Sequence, residues 1–467
     1  MIQTESELAG LGGRLLRPTF WVVLLLMLLA LATRVGFLLA VAHPEARHGE
    51  FAFPDASDES DYHRMARNLA VDGVYKLGED GPPTAKRPPG MVLPMAALYA
   101  LLGPSPWWAL AWVMACSLAT IPVVGWLTRG LGGGPVGVTL AMLIAALMPT
   151  SVFTAAGLWS EPPALLLTLL ALALLADARP FDPGAWLPQG RAWALAGLAL
   201  GLAYLVRPAV QAVIVLLVPL LAWAAWQRRS LGPWLLFVLL AILPIVGWGW
   251  RNAQVFGEPF HGNTESTAAL WGANNPVTAG LKPPALERHG GYDLHAEAAS
   301  GAYLGSWVPV AYLEPTVPPG LGELERHHWY QKQVRGFVVE NPGAFVRLVG
   351  YKLWRTLTAE PYAPSILGES PAKRRLKWAV AFAERWFLLL AGGCGLWLLF
   401  VRRETSLPIL LAFLAGSAAV VVLAYVNARI FLPVSGLLIA PAALAVAAGL
   451  RRIAPPPRTP TPIEADR

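Results

Sequence analysis

The sequence predicts an all-α protein that crosses a membrane many times, and three observations support this fold class. Of its 467 residues, 55% are hydrophobic and only 14% are charged, whereas a soluble domain carries about 25% charged residues. Several apolar runs approach the roughly 20 residues that a helix needs to cross a bilayer. Lysine and arginine lie mainly beside the ends of these runs, so the net charge of +7 reflects orientation in the membrane and not nucleic-acid binding.

The basic residues also predict which way each span runs. Arg14 and Arg17 precede the first apolar run and place the N-terminus in the cytoplasm. We interpret residues 90–102 as an interfacial or re-entrant helix, because the later paired arginines then all fall on the cytoplasmic side. The ten predicted spans are residues 20–42, 107–127, 136–153, 164–176, 193–206, 209–226, 234–250, 378–400, 407–425 and 430–450.

The chain divides into four predicted parts. The N-terminal transmembrane module carries the first outer loop, in which residues 59–71 have the apolar spacing of a surface helix. A long, mostly polar outer segment follows, with helical patterns at 323–340 and 344–358. After the C-terminal helices, a proline-rich tail is predicted to be disordered. These parts are residues 1–250 with the first outer loop at 43–106, residues 251–377, residues 378–454 and residues 455–467.

The first outer loop collects charged side chains between residues 54 and 90. Four carboxylates lie within seven residues, and two bases follow directly before a Pro-Pro-Gly sequence. Charge that loses water at a membrane surface is costly, so such a cluster indicates a functional site. We expect Asp61 to lie on a solvated helix face. The residues are Asp55, Asp58, Glu59 and Asp61, followed by Lys86 and Arg87.

Isolated charged residues also lie at the outer ends of the predicted spans. They are Glu161, Arg207, Arg251 and Arg429. The preference for basic residues on the cytoplasmic side does not account for these arginines. All four lie on the same side of the membrane as the charged loop, so we expect them to contribute to one site.

These motifs resemble those of the GT-C superfamily of membrane glycosyltransferases. Within it, the chain is most similar to bacterial members of glycosyltransferase family 39, the protein O-mannosyltransferases and relatives of the lipid A aminoarabinose transferase. The motifs occur in the family's order across nearly the whole chain. They are Asp58-Glu59 with Tyr62, Arg87-Pro88-Pro89-Gly90, Ser160-Glu161-Pro162, Gly201 to Pro208, Trp250-Arg251-Asn252 with Phe256-Gly257, Asn274-Asn275-Pro276, Glu340-Asn341-Pro342 with Arg347, and Arg429 with Pro433.

The resemblance implies a GT-C fold and a specific kind of reaction. Such enzymes take a sugar, here a hexosyl or pentosyl group, from a polyprenyl-phosphate carrier and transfer it to an acceptor hydroxyl on the outer face. Direct attack without a covalent intermediate inverts the anomeric centre. The expected location is the bacterial inner membrane, with the active site facing the periplasm. In agreement, no glycine motif for a nucleotide phosphate follows a strand pattern.

One departure from the aminoarabinose transferases concerns metal binding. Those enzymes carry an acid just before the lysine of their second loop motif, whereas this chain has Lys86 and Arg87. The sequence therefore gives a divalent metal no support, and no cofactor is predicted.

Carboxylates are the candidates for removing the acceptor proton. Asp58 is the first choice for the base, with Glu59 and Asp55 as alternates. The alternative role of Asp58 is to cap the following helix. Glu161 is a second acid that binds the sugar or acceptor or shares the base role. Its alternative role is a favourable charge at a helix N-terminus. Tyr62 either stacks on a sugar or anchors the helix.

Basic residues are the candidates for holding the donor phosphate. Arg87 and Lys86 are the first choices, because an arginine fork matches phosphate oxygens. Their alternative role is to anchor lipid headgroups at the interface. We expect one or two of Arg207, Arg251 and Arg429 to reach the phosphate and the others to pair with acids.

A transporter or flippase for a polyprenyl-linked glycan is the alternative function. Such a protein would place charges near the bilayer midplane and show repeated halves. Here the unusual charges gather at one face and no internal repeat is visible, which favours the enzyme. The predicted partners are a polyprenyl-phosphate-linked sugar, the bilayer, and an acceptor that is a glycan, a lipid or a protein, with no nucleic acid.

Overall fold

The computed structural model describes residues 20–42, 53, 57–182, 189–275, 317–358, 371–423 and 428–453. These residues are mostly helical, and no strand forms among them beyond an isolated bridge between Lys76 and Pro83. The helices are α1 (Phe20–Phe37, continued by a π turn at Leu38–Ala42), α2 (Asp58–Asp72), α3 (Pro89–Leu102), α4 (Pro106–Gly130), α5 (Pro135–Leu147), α6 (Pro149–Thr154), α7 (Glu161–Ala178), α8 (Gln189–Val206), α9 (Gln211–Gln227, after a 3-10 turn at Pro208–Val210), α10 (Gly232–Phe256), α11 (Glu265–Ala273), α12 (Glu323–Glu340), α13 (Pro342–Thr358), α14 (Pro371–Val401), α15 (Leu407–Leu423) and α16 (Ala428–Ile453).

The apolar helices confirm an all-α protein that crosses the membrane many times. Seven described stretches are long and apolar enough to span a bilayer, and each matches a predicted span. The other three predicted spans form the shorter apolar helices at Pro135–Leu147, Gly190–Val206 and Leu407–Leu423. The stretches of full length are Phe20–Ala42, Pro106–Gly130, Glu161–Ala178, Pro208–Gln227, Gly232–Phe256, Arg375–Val401 and Phe431–Arg451.

The predicted span 136–153 is interrupted, because α5 ends at Leu147 and α6 begins at Pro149. Met148 between them has φ −56° and ψ 115°. A residue before proline is disfavoured in the helical region, and proline has no N–H to continue the helix. The sequence contained this signal, and the expectation of one continuous span was wrong.

Glycines allow two pairs of spans to pack closely. A Cβ atom at Gly197 or Gly201 of α8 would overlap the backbone of α10 at Phe237 and Ala241. A Cβ at Gly395 of α14 would likewise overlap the carbonyl oxygen of Pro441 in α16. Small residues let helix backbones approach within a bilayer, where packing drives association.

Arg34 is a fully buried cation within the first span. Its Nε donates to Ser117 Oγ at 3.0 Å, and its Nη1 donates to the carbonyl of Ala146 at 2.9 Å. Its Nη2 lies 3.4 Å from the carbonyl of Ala145. The guanidinium therefore joins α1 to α4 and satisfies carbonyls in the last turn of α5, which has no further helical residues to bond them.

The first outer loop folds into α2 and α3, as the sequence predicts. Ser57 is the N-cap of α2 and exchanges capping bonds with Ser60, so the alternative role of Asp58 as the cap is wrong. His63 on α2 contacts the hydroxyl of Tyr99 on α3, with 2.8 Å between Nδ1 and oxygen. Burial, with the nearby charges of Arg67 and Arg64, lowers the pKa of His63.

The described part of the outer segment has a small core of its own. Trp271 on α11, Phe337 on α12 and Leu348 on α13 are buried against one another. The predicted helices 323–340 and 344–358 correspond to α12 and α13. The predicted boundary at residue 250 falls inside α10, which continues to Phe256, so the outer segment begins as an extension of a span.

A buried lysine attaches this segment to the membrane helices. Lys352 Nζ on α13 donates to Asn274 Oδ1 at 2.8 Å and lies 3.4 Å from the carbonyl oxygen of Leu423, at the end of α15. Asn274 Nδ2 bonds the same carbonyl at 2.7 Å. Burial lowers the pKa of Lys352 to about 7.

Candidate functional site

Acids of α2 and the bases of residues 86–87 form one cluster. Arg87 Nη2 lies 2.7 Å from Asp58 Oδ1 and 2.8 Å from Asp61 Oδ2. Lys86 Nζ lies 2.9 Å from the same oxygen of Asp61. Two bases and two acids thus meet where the sequence placed the site.

Arg87 remains charged in this cluster. Burial alone would lower the pKa of Arg87, but Asp58, Tyr62 and further acidic groups outweigh it and raise the pKa above its usual range. The Tyr62 ring lies 5.5 Å below the guanidinium and is itself buried. Its burial supports the anchoring role that the sequence left open for Tyr62.

The carboxylates of α2 differ sharply in exposure. The Asp61 side chain is 5% exposed and that of Asp58 is 27% exposed. The expectation that Asp61 lies on a solvated face was wrong, because Lys86 and Arg87 fold back over it. Asp58 is therefore the more accessible of the two carboxylates that contact Arg87.

Glu59 points toward a different part of the chain. Its Oε1 accepts a bond from the backbone N–H of Leu158 at 3.0 Å, and the residue is buried. Leu158 lies just before Ser160 and Glu161, so Glu59 ties α2 to the segment that leads into α7. This contact supports a positioning role for Glu59.

Glu161 and Arg207 form a second pair, where α7 begins and α8 ends. Glu161 is the first residue of α7 and is buried, where its charge is favourable at a helix N-terminus. Arg207 Nη1 contacts Glu161 Oε1 and lies 3.4 Å from Ser160 Oγ. This arrangement matches the expectation that some outer arginines pair with acids.

Arg251 contacts backbone carbonyls and aromatic rings. Its Nη1 donates to the carbonyl of Thr84 at 2.9 Å, and its guanidinium lies 4.9 Å from the Trp248 ring centre and 5.1 Å from that of Tyr75. These contacts support a role in holding the loop before Lys86. A role in binding the donor phosphate stays a prediction for this residue.

Two predicted site residues have no described side chain. Arg429 lies in the first turn of α16, and its backbone is described but its side chain is not. Asp55 lies outside the described residues. Among the described residues, no group of three His, Cys, Asp or Glu side chains has the arrangement of a metal site.

Tyr75 and Glu323 also belong to the site, although the sequence did not single them out. The Tyr75 hydroxyl donates to the carbonyl of Arg87 at 2.9 Å, and burial raises the pKa of Tyr75 well above its usual range. Glu323 bonds Thr84 and Ala85. An acid opening an amphipathic helix was the available signal for Glu323, but many helices begin this way.

Cavities lie in the first outer loop and among the membrane helices. One, of about 340 Å³, lies at the C-terminal end of α2 and is lined by charged residues such as Arg67, Asp72 and Lys76. A small apolar cavity of about 30 Å³ lies between α7, α9, α15 and α16, and Arg207 forms part of its wall.

Comparison with solved structures defines the fold. The archaeal oligosaccharyltransferase AglB from Archaeoglobus fulgidus, in complex with an inhibitory peptide and a dolichol-phosphate, superposes with a TM-score of 0.51 at 14% identity. Its apo form gives a TM-score of 0.52 at 15% identity. Both matches cover 93% of this chain and 51% of AglB, so the chain spans about half the length of that protein.

A further structure is ArnT from Cupriavidus metallidurans bound to undecaprenyl phosphate. It covers 92% of this chain and 79% of its own at 15% identity, but the TM-score of 0.40 is too low to support a shared fold by itself. No protein-family model matches the chain, and no curated protein matches it.

The fold is the one seen in AglB, and the GT-C fold that the sequence motifs predicted is confirmed. The chain is a multi-pass membrane protein whose described acids and bases meet beside α2. The finer resemblance to glycosyltransferase family 39 rests on the sequence motifs.

Proposed function

We propose that the protein is a glycosyltransferase that moves a sugar from a polyprenyl-phosphate donor to an acceptor hydroxyl. The observation that carries this proposal is the accessible carboxylate of Asp58, held 2.7 Å from Arg87 in a cluster that also contains the pair of Lys86 and Asp61, in a chain with the GT-C fold. The reaction needs a base for the acceptor and cations for the phosphate, and this cluster supplies both.

The mechanism follows from the roles of these groups. The acceptor oxygen attacks the anomeric carbon while its proton passes to the Asp58 carboxylate. The bond between the anomeric carbon and the phosphate oxygen breaks, and the electron pair leaves with the polyprenyl phosphate. Because attack and departure occur on opposite faces of the sugar, the product has the inverted configuration.

The phosphate must compete with acids for its cations. Lys86 is 32% exposed, whereas its partner Asp61 is 5% exposed. Lys86 is therefore the base that can turn toward a phosphate oxygen while Asp61 retains Arg87. Charge-assisted bonds of this kind contribute about 1.5–3 kcal/mol each, strengthened where water is excluded.

The location and the substrates belong to the same proposal. The cluster lies on the side of the membrane opposite the paired arginines, which in a bacterium is the periplasmic side of the inner membrane. The AglB structure contains a dolichol-phosphate, which supports a polyprenyl-phosphate carrier for the sugar here. The acceptor is a glycan, a lipid or a protein.

The test uses purified protein and a panel of polyprenyl-phosphate hexoses and pentoses. We expect release of polyprenyl phosphate with one of them, reduced about 10²- to 10⁴-fold by Asp58→Asn, the usual cost of losing a general base. The control is Asp72→Asn, an exposed acid at the other end of α2 that pairs with Lys76 at 2.9 Å. We expect the control to keep near-normal transfer.

Other outcomes assign the chemistry elsewhere. Normal transfer by Asp58→Asn together with loss of transfer by Glu161→Gln would move the base to Glu161. Loss of transfer by Asp55→Asn or Glu59→Gln would move the base to that alternate. Normal transfer by all four variants would remove the carboxylate-base mechanism. Movement of an intact lipid-linked sugar across vesicles, without release of polyprenyl phosphate, would establish the flippase instead.

A further inference from the structure

Glu323, the first residue of α12, accepts hydrogen bonds from two other segments of the chain. Thr84 Oγ1 donates to its Oε2 at 2.7 Å, and the backbone N–H of Ala85 donates to its Oε1 at 2.9 Å. Thr264, which precedes α11, donates from its Oγ1 to Oε1 at 2.7 Å. One carboxylate of the outer segment thus bonds the two residues directly before Lys86.

The stretch from Thr84 to Arg87 is held from other directions as well. The backbone N–H of Thr264 donates to the carbonyl of Ala85 at 3.1 Å, and the N–H of Lys86 donates to Thr84 Oγ1 at 3.0 Å. Thr84 and Ala85 are buried. Since buried polar groups are costly to leave unpaired, these bonds fix the backbone position of the stretch.

Glu323 is well suited to this task. Hydrogen bonds to an ionised carboxylate are shorter and stronger than those between neutral groups. A negative charge is also stabilised in the first turn of a helix. Losing Glu323 would leave the Ala85 N–H and the Thr84 and Thr264 hydroxyls without this acceptor, and the stretch that carries Lys86 and Arg87 would lose its contact with α12.

We propose that Glu323 is a positioning residue that holds Lys86 and Arg87 in place for the donor phosphate. The proposal rests on the glycosyltransferase function proposed above. It assigns to the outer segment a part in binding the donor: Glu323 touches no substrate and acts through the backbone of residues 84–87. Donor binding is therefore coupled to the docking of α12 against the first outer loop.

Three substitutions separate positioning from a role of the negative charge. Glu323→Gln keeps an oxygen for Ala85 and Thr264 and places an amide opposite Thr84, whose hydroxyl can also accept. Glu323→Asp keeps the charge but shortens the side chain by one methylene, and Glu323→Ala removes every bond. We expect kcat/KM for the donor to be highest for Glu323→Gln, lower for Glu323→Asp and lowest for Glu323→Ala. The decrease for Glu323→Ala should reach about 10²-fold, the usual cost of a misplaced group.

Glu325 offers a matched control in the same helical turn. Its carboxylate accepts a bond from the N–H of Gly322 at 2.8 Å and closes the cap of α12. Glu325→Ala makes the same change of charge and weakens the same helix end without touching residues 84–87. We expect kcat/KM for the donor to stay within about twofold of wild type, which corresponds to a free-energy change smaller than RT.

A double-substitution cycle tests whether Glu323 acts through Lys86, the base that turns toward the phosphate. If it does, Glu323→Ala should reduce kcat/KM much less in a Lys86→Ala background than in wild type, because neighbouring residues that act together are non-additive. General destabilisation would instead lower kcat/KM by the same factor in both backgrounds. Thermal unfolding of each variant shows whether the protein folds. If Glu323→Ala does not fold, Thr264→Val replaces it, because this variant removes only one of the hydrogen bonds to Glu323.

The outcomes decide between the proposals. If wild type is active and Glu323→Ala is as active as Glu325→Ala, the positioning role is overturned, but the proposed glycosyltransferase function is not. If Glu323→Asp is more active than Glu323→Gln, the positioning role is overturned in favour of a role for the charge. If Glu323→Ala lowers kcat/KM by the same factor in both backgrounds, the positioning role is overturned in favour of general stability. Wild type that transfers no sugar from any donor overturns both proposals.

Discussion

The acids of α2 share one chemistry but have different surroundings. Asp61 is enclosed by Lys86 and Arg87, Glu59 bonds the Leu158 N–H, and Asp58 keeps about a quarter of its side chain exposed. The segment 54–90 contained enough information to place Asp58 and Arg87 in one site, because both lie in the same outer loop. The burial of Asp61 was not predictable from helical spacing, since it depends on how residues 86–87 fold back.

Because the two carboxylates differ in burial, we expect Asp61→Asn to act mainly on stability and Asp58→Asn mainly on the rate of transfer. Asp61→Asn leaves Lys86 and Arg87 without their shared carboxylate, and breaking a buried ion pair costs about 3–5 kcal/mol, an upper bound here because Lys86 is partly exposed. Asp58→Asn should lower the rate of transfer more and the thermal stability less. The measurements are the unfolding midpoint and the transfer rate of each variant. A larger loss of stability from Asp58→Asn would contradict this assignment.

At the scale of helices, the sequence predicted which elements form better than where they end. The hydropathy of each run identified the spans, whereas the cytoplasmic ends that the basic residues indicate stay a prediction. The break at Met148 and the extension of α10 past residue 250 depend on local backbone geometry and on tertiary contacts. The bonds from Glu323 join residues 238 and 239 positions apart, a distance over which no sequence period gives guidance.

The contact between α14 and α16 gives a prediction about helix packing. Gly395→Ala would place a methyl group against the carbonyl of Pro441, whereas a Cβ at Gly393, two residues away, meets nothing within 4 Å. Overpacking typically costs about 1–3 kcal/mol. We expect Gly395→Ala to lower the unfolding midpoint in detergent and Gly393→Ala to leave it unchanged or raise it, because alanine favours helix. Equal midpoints would show that α14 and α16 can separate without cost.

The junction of α13 with α15 predicts a dependence of stability on pH. Lys352 is buried and has a pKa of about 7 in the folded chain, against about 10.4 for an exposed lysine. Between these values the unfolded chain binds more protons, so the free energy of unfolding should rise with pH from about 7 to 10. Below pH 7 the buried ammonium destabilises the fold.

Thermal unfolding at several pH values checks this expectation, with Lys352→Met as the control. The methionine side chain fills similar space without a titrating group, so its variant should lack the slope. The same slope in both proteins would assign the pH dependence to other groups.

At the scale of the whole molecule, the orientation in the membrane decides which substrates can reach the site. We expect a cysteine at position 80 to react with an impermeant reagent from outside, and cysteines at 129 or 228 to react only after the membrane is opened. The background is the chain with Cys116 and Cys394, its two cysteines, replaced. Labelling of position 129 from outside would reverse the topology and the proposed location of the active site.

Arg34 has a consequence for how the chain is made. An arginine within an isolated span opposes insertion by up to about 2.5–3.5 kcal/mol, and Arg34 lies in the last turn of α1. Besides the Ala30 carbonyl of its own helix, its partners are Ser117 and the carbonyls of residues 145 and 146. Those three partners are synthesised more than 80 residues later. We therefore expect α1 to stay beside the insertion machinery until α4 and α5 have emerged from the ribosome. Crosslinking of nascent chains stopped before and after residue 147 should show its release only in the longer chain, and replacing Arg34 with leucine should allow release early.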